Sequence, residues 1–168
     1  MLKIRRINNT DILSNDPEKL SKWYHETLGL PYVAKWDDKV GIASLTAGDY
    51  ELFFLKTNNP KHAPRRGMDL DNEPGGQVCF AFEVEDADQA VKDLGDKVEW
   101  ASEVLYFEHP NKKGWSYRYA HFYDPDGNML LVTEPRNMPE LEADKSSQAS
   151  DEEIRRVYSR REPLPAKR

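Results

Sequence analysis

The sequence holds a single cysteine, Cys79, and four histidines in 168 residues. One cysteine cannot close an internal disulfide, so nothing covalent staples the fold, and a reducing cytoplasm is the compartment this usage fits. Long apolar runs are missing, which excludes a helical membrane span. The opening stretch MLKIRRINNTDILSND also lacks the apolar centre of a secretory leader, and none is expected. Positive charge is the minority sign: 24 Lys and Arg stand against 30 Asp and Glu, a net charge of -6 spread along the chain. That balance argues against nucleic acid as a partner. What is present describes a soluble, hydrophilic chain, with a mean hydropathy of -0.83. Its length suffices for one cored domain, or for two small modules that share a core.

The first module, about residues 3–57, opens on LKIRRINNTDIL, read as a strand with one wet side. NDPEKLSKWYHETLGL follows. Asp16 suits an N-cap, Pro17 the first helical position, Glu18 the positive end of the dipole, and Gly29 the C′ position. Leu20, Trp23, Tyr24 and Leu28 fall on one helical face. LPYVAKW, VGIASLTA and YELFFLKT then read as three strands separated by DDK and AGD turns. Residues 58–75 carry prolines, glycines and charges without period and read as a long loop.

The pattern then repeats over about residues 76–135. VCFAFEVEDADQAVKDLG gives a strand, a capping Asp86, a helix striped by Ala87, Ala90, Val91 and Leu94, and Gly95 in the place of Gly29. KVEWASEVLYF, GWSYRYAHFY and NMLLVTE supply three more strands. Strand, helix and three strands thus occur twice, an α+β arrangement in which one such unit cannot bury its own sheet face. From residue 137 the apolar period stops. The tail to 168 is polar and admits one helix over 150–161 capped by Ser150; it reads as a solvated tail, with an arm that packs on a partner subunit as the alternative.

Two βαβββ modules, the Asp16/Trp23-Tyr24/Leu28-Gly29 spacing and the FYDPDGN turn together resemble the vicinal oxygen chelate superfamily over about residues 3–135. That group includes glyoxalase I, extradiol dioxygenases, fosfomycin-resistance enzymes and bleomycin-resistance proteins. The resemblance implies a single domain over 1–136, an open barrel around a central cavity, and a homodimer. It also implies positions for metal ligands. They fall on Asn9 in the first strand, Cys79 opening the second module, and Leu131 seven residues after Asp124. A fourth position used by some members falls on Phe53, with Glu51 on the same face. Leucine cannot donate to a metal, an amide oxygen is a weak neutral donor, and one thiolate makes no site. No metal and no cofactor is therefore expected.

Strand alternation extends the lining that the resemblance implies. Asp11 shares the face of Asn9, Ala81 and Glu83 that of Cys79, Met129 and Thr133 that of Leu131, and Tyr117 and Tyr119 that of His121. Trp115, in a Gly-Trp loop like those bordering the family's cavity, is a candidate for ring stacking. Each has a plainer alternative: Asp11 as a strand-end hydrogen-bonder, His121 and the tyrosines as packing, Cys79 as a small buried apolar residue. His25, His62 and His109 read as surface or loop residues, and KHAPRR (61–66) as a solvated loop or a lid over an anion.

The leading expectation is a metal-independent protein that binds a small, aromatic organic molecule, as bleomycin-resistance proteins do. The ligand-binding set is Asn9, Asp11, Glu51, Cys79, Trp115, Tyr119, His121, Met129 and Leu131. The alternative is a lyase, isomerase or dioxygenase-like enzyme. It would use Asp11 as base and His121 as acid, or a shifted metal site drawn from Asp11, Glu51, Cys79 and His121. A pure interaction module with a collapsed cavity is the third reading.

Overall fold

A computed structural model describes residues 8–59, 61, 65, 79–108 and 114–136; most of the loop expected over 58–75, the expected tail helix, His62 and His109 lie outside the described residues. Among the described residues the fold is mixed α and β, with two sheets and an α-helix in each half of the chain. By contact the chain forms two compact units. The first takes the described residues up to 65 with Asp96–Glu99 and Tyr123–Met129. The second takes Cys79–Gly95, Trp100–Phe122 and the described residues from Leu130.

In the first unit the order is β1 (Asn9–Ser14), α1 (Pro17–Leu28), β2 (Tyr32–Asp37), β3 (Ile42–Ala47) and β4 (Tyr50–Lys56). The sheet runs β1-β4-β3-β2, with β1 and β4 parallel and the other pairs antiparallel. A parallel neighbour needs a crossover, and α1 with the β2-β3 hairpin supplies it.

Helix α1 starts where Asp16 accepts the Lys19 N–H at 3.0 Å. It stops at Gly29, whose φ of 74° is left-handed and costs little without a Cβ. Its buried face is Pro17, Leu20, Ser21 and Tyr24. Trp23 and Leu28, expected on that face, are only half-buried. The Ser21 hydroxyl donates to the Glu18 carbonyl at 3.0 Å, so a small, satisfied side chain takes the place expected for a larger one. Beneath α1 lie Ile12, Ala43, Leu45, Leu52 and Phe54, all buried, and the Tyr24 ring meets Phe54 edge-on at 4.9 Å.

The second half of the chain repeats the order with β5 (Cys79–Glu83), α2 (Ala87–Leu94), a 3-10 turn (Gly95–Lys97), β6 (Glu99–Trp100), β7 (Leu105–Glu108), β8 (Ser116–Tyr123) and β9 (Met129–Arg136). The sheet runs β5-β9-β8-β6, and β7 also pairs with β8. Asp86 caps α2 by accepting the Gln89 N–H at 2.9 Å. Two details depart from the sequence reading. Gly95 has φ 50° and ψ -123°, unlike the left-handed Gly29, because the chain runs on into a 3-10 turn. The strand expected over KVEWASEVLYF is broken at Ala101–Val104 into two pieces along the same neighbour.

Charges on the helix side of this sheet are paired. Arg118 on β8 donates to Asp88 of α2 at 2.6 Å and to Glu134 of β9 at 3.4 Å. Glu134 also accepts the Ala87 N–H at 3.1 Å and the Arg136 Nε–H at 2.6 Å. It thus closes one of the unpaired amides that open every helix. Partial burial pushes the Glu134 carboxyl up, but the Ala87 amide, Arg136 and Arg118 outweigh it and hold it below its ordinary value of 4.5. A depressed folded value means that this contribution is present above pH 4.5 and is lost as pH falls through the folded value. Glu134→Ala strands the Ala87 N–H, which lies at a buried residue, and should cost about 2–3 kcal/mol. Glu134→Gln keeps an acceptor and should cost about 1 kcal/mol. Urea denaturation at neutral pH reads both, and the gap between wild type and Glu134→Gln should narrow in acid.

Candidate functional site

Each sheet has a face turned away from its helix, and the sequence-predicted residues sort onto these faces. On the first sheet, β1 exposes Asn9, Asp11 and Leu13 and buries Ile12 and Ser14. Register pairs Asn9 with Glu51, Asp11 with Phe53 and Leu13 with Leu55, and continues to Thr46, Ser44 and Ile42 on β3. The face is therefore graded from polar to apolar in three rows. Asn9 donates to Asp11 at 2.9 Å, so Asn9, Asp11 and Glu51 come together as one polar end.

On the second sheet, Tyr117, Tyr119 and His121 line one face of β8. Tyr117 and Tyr119 meet edge-on at 6.5 Å, as do Tyr119 and His121 at 5.4 Å. From β7, Phe107 stacks on Tyr117 at 5.0 Å with an interplanar angle of 11°, and Leu105 lies opposite Tyr119. Leu105 and Phe107 belong to this wall, although the sequence reading left them out. Strand alternation could have found them had the break after Trp100 been visible. Tyr117 and Tyr119 are half-exposed, whereas His121 is buried at 5%; the histidine backs the wall more than it fronts it. Trp115 is half-buried just before β8, Leu131 half-buried on β9, and Met129 buried. Cys79, whose plainer reading is a small buried residue, is partly exposed.

His121 is locked to the break between β6 and β7. The Ala101 and Ser102 N–H groups both donate to its carbonyl, at 2.8 and 3.3 Å. Its own N–H donates to Ser102 Oγ at 2.9 Å, and its Nδ1 lies 3.4 Å from the same oxygen.

The DPDGN turn is a packing device of the first unit. Asp124 is buried and takes four donors: Tyr24 OH, the Asp126 N–H, the Asn128 N–H and Asn128 Nδ2, at 2.8–3.0 Å. Burial pushes the Asp124 carboxyl above its ordinary value, and the bonds from Asn128 and Tyr24 offset part of that rise. Burial, followed by the Asp124 charge, pushes the Tyr24 hydroxyl well up, so it stays a donor. Of the 61–66 stretch offered as a lid, Lys61 and Arg65 are described. Arg65 forms a two-pronged pair with Glu99 and lies 4.6 Å above the Tyr123 ring. That makes Arg65 a brace on this turn. His25 is exposed, as read from sequence, with Nδ1 2.8 Å from the Leu30 carbonyl.

The donor chemistry does not fit the family's metal site. At the positions that the family resemblance assigns to metal ligands stand Leu131, which has no donor atom, Asn9, which offers only a neutral amide oxygen, and Cys79, the single thiol of the sequence. Among the described residues, no three His, Cys, Asp or Glu side chains gather to hold an ion. Among the described residues no helix is long and apolar enough to cross a membrane.

Comparison with known proteins agrees with this architecture. The chain is 28% identical over 122 residues to the uncharacterized protein YraH of Bacillus subtilis (strain 168), covering 72% of this chain and 91% of YraH. Its fold resembles TnmS3, an antibiotic binding protein from Streptomyces sp. CB03234, with a TM-score of 0.51 and 21% identity over 80% of this chain and 99% of TnmS3. It also resembles lactoylglutathione lyase from Agrobacterium tumefaciens, with a TM-score of 0.52 and 22% identity over 77% and 92% of the two chains. At such identities the two solved structures speak for the fold alone. The family model for the Glyoxalase/Bleomycin resistance protein/Dioxygenase superfamily matches residues 6–132, and the chain belongs to that superfamily.

Proposed function

We propose that this protein binds a small aromatic organic molecule without a metal and without transforming it, as a sequestering protein of the bleomycin-resistance type. The observation that carries the reading is the ring series Phe107, Tyr117, Tyr119 on one sheet face, backed by His121. Flat, half-exposed rings with few charges among them give a planar ligand apolar contact and favourable ring geometry. The donor chemistry at Asn9, Cys79 and Leu131 supports metal independence. The likeness to TnmS3 is consistent with the same reading through the fold. A homodimer in a reducing cytoplasm is the proposed setting, and sedimentation of the purified protein checks the dimer.

Screening aromatic antibiotics and metabolites by quenching of the four tryptophans tests the proposal. We expect at least one compound to bind equally well with and without a chelator, and to be recovered chemically unchanged. Binding that vanishes with chelator and returns with a divalent ion would overturn metal independence. Consumption of the compound would overturn sequestration in favour of an enzyme.

A further inference from the structure

We propose that the face of the first sheet turned away from α1 binds a small organic ammonium carrying an apolar chain. Every residue of this site lies in the first unit, and the site does not rest on the aromatic reading above. On β3, Ala43 and Leu45 are buried beneath α1, so strand alternation points Ser44 to the other face. Register sets Ser44 beside Phe53, with Asp11 beyond. Ser44 is only 2% exposed, yet among the described residues its hydroxyl makes no hydrogen bond. Most buried polar groups have a partner in the protein or in ordered solvent. Among the described residues the unpartnered polar side-chain atom that is fully shut off is Asp126 Oδ2, not Ser44 Oγ. The Ser44 hydroxyl therefore keeps an opening onto this face, and a ligand lying there reaches it.

The neighbours of Ser44 define what fits. Glu51 precedes Phe53 by two residues on β4 and is half-buried, and Asp11 stands opposite Phe53 on β1 and is exposed. Among the described residues neither carboxylate is paired with a cation. Two carboxylates and a hydroxyl oxygen around one ring favour a cation with N–H donors. The carboxylates attract its charge, as does the ring face, and Ser44 Oγ accepts one N–H. An anion is repelled. A metal ion needs more donors, and among the described residues no three His, Cys, Asp or Glu side chains gather. One row along, roughly 6.5 Å on, Leu13, Leu55 and Ile42 lie side by side, with Leu13 65% exposed. A chain attached to the ammonium covers these apolar groups. The charge at one end and the apolar row at the other together select an alkylammonium over an inorganic cation.

NMR titration of the full chain, with its leucine methyl groups labelled, against hexylammonium tests this. We expect a saturable shift of the Leu13 and Leu55 signals. Hexanol, which lacks the charge, should bind about tenfold more weakly. Hexyltrimethylammonium, which lacks N–H donors, should also bind more weakly, and hexanoate should not compete. Glu51→Gln should weaken hexylammonium by about tenfold and Ser44→Ala by about fivefold. Ser44→Ala should also erase the advantage of hexylammonium over hexyltrimethylammonium. Since the hydroxyl has no partner in the protein to lose, Ser44→Ala should keep Tm within about 3 °C of wild type. No saturable shift, equal affinity for hexanol, or an N–H advantage that survives in Ser44→Ala overturns the proposal. So does a larger fall in Tm for Ser44→Ala, which would show a hydroxyl bonded within the protein. The aromatic screen reads the rings of the second sheet, so failure of either test leaves the other standing.

Discussion

Asp124→Ala should lose about 3–5 kcal/mol of stability, more than any other single truncation in the DPDGN turn. The carboxylate takes four donors, from Tyr24, Asp126 and Asn128, and both Asp124 and Tyr24 are buried. Removing the acceptor leaves the Tyr24 hydroxyl and the turn amides unpaired, each at about 1–3 kcal/mol where water cannot replace it. For a chain of this size, such a loss lowers Tm by roughly 10 °C. Tyr24→Phe removes one donor of four and keeps the ring against Phe54, so it should cost about 1 kcal/mol. The pH dependence has its own sign. The Asp124 carboxyl lies above its ordinary 3.8 in the folded state. Its titration therefore favours folding most below pH 3.8, and that share is lost as pH rises through the folded value. Asp124→Ala removes this term, which runs opposite to the acid loss at Glu134. Thermal melts across pH 3 to 7, taken roughly as the carboxylate range, read both. A Tm within about 3 °C of wild type for Asp124→Ala would show that water reaches the turn.

Helix limits were legible because their signals are local. Asp16, Pro17 and Gly29 act within one turn of each other, and Asp86 caps α2 by the same rule. The repeat was legible because both halves obey the same period. What stayed hidden was long-range. Tyr24 and Asp124 stand 100 residues apart, and Arg118 stands 30 from Asp88; neither pairing leaves a mark in local pattern. Glu134 follows the buried Val132 in phase, but nothing in the sequence named the helix amide it caps. The break at Ala101–Val104 was hidden because Ser102 passes for an ordinary wet-side residue until its hydroxyl is seen standing in for a carbonyl. Face membership within each sheet came through intact for Asn9, Asp11, Tyr117, Tyr119 and His121, since period two needs only the register. Depth did not: alternation says which side a residue is on, not that His121 is buried and Cys79 half-exposed.

The second large effect is expected at Tyr119. Truncation to alanine removes a half-exposed ring that holds an edge contact to each of two neighbours. For a flat ligand laid on that face, the ring contact contributes about 0.5–1.5 kcal/mol beyond area. The lost apolar burial adds about 1 kcal/mol. Together these weaken binding by about 2 kcal/mol, roughly 30-fold. Phe107→Ala should act in the same direction and more weakly, because Phe107 reaches the face by stacking on Tyr117. Asp11 differs in kind. It is exposed and already bonded to Asn9, and a carboxylate in contact with water adds less than about 1 kcal/mol.

Isothermal calorimetry of the tightest aromatic compound from the quenching screen, on wild type, Tyr119→Ala and Asp11→Asn in the presence of chelator, is the most direct test of aromatic, metal-free sequestration. The account predicts that Tyr119→Ala loses roughly 30-fold in Kd while Asp11→Asn stays within about fivefold of wild type. Loss of binding or of turnover in Asp11→Asn, with Tyr119→Ala unaffected, would contradict it and make the acid–base enzyme the better account.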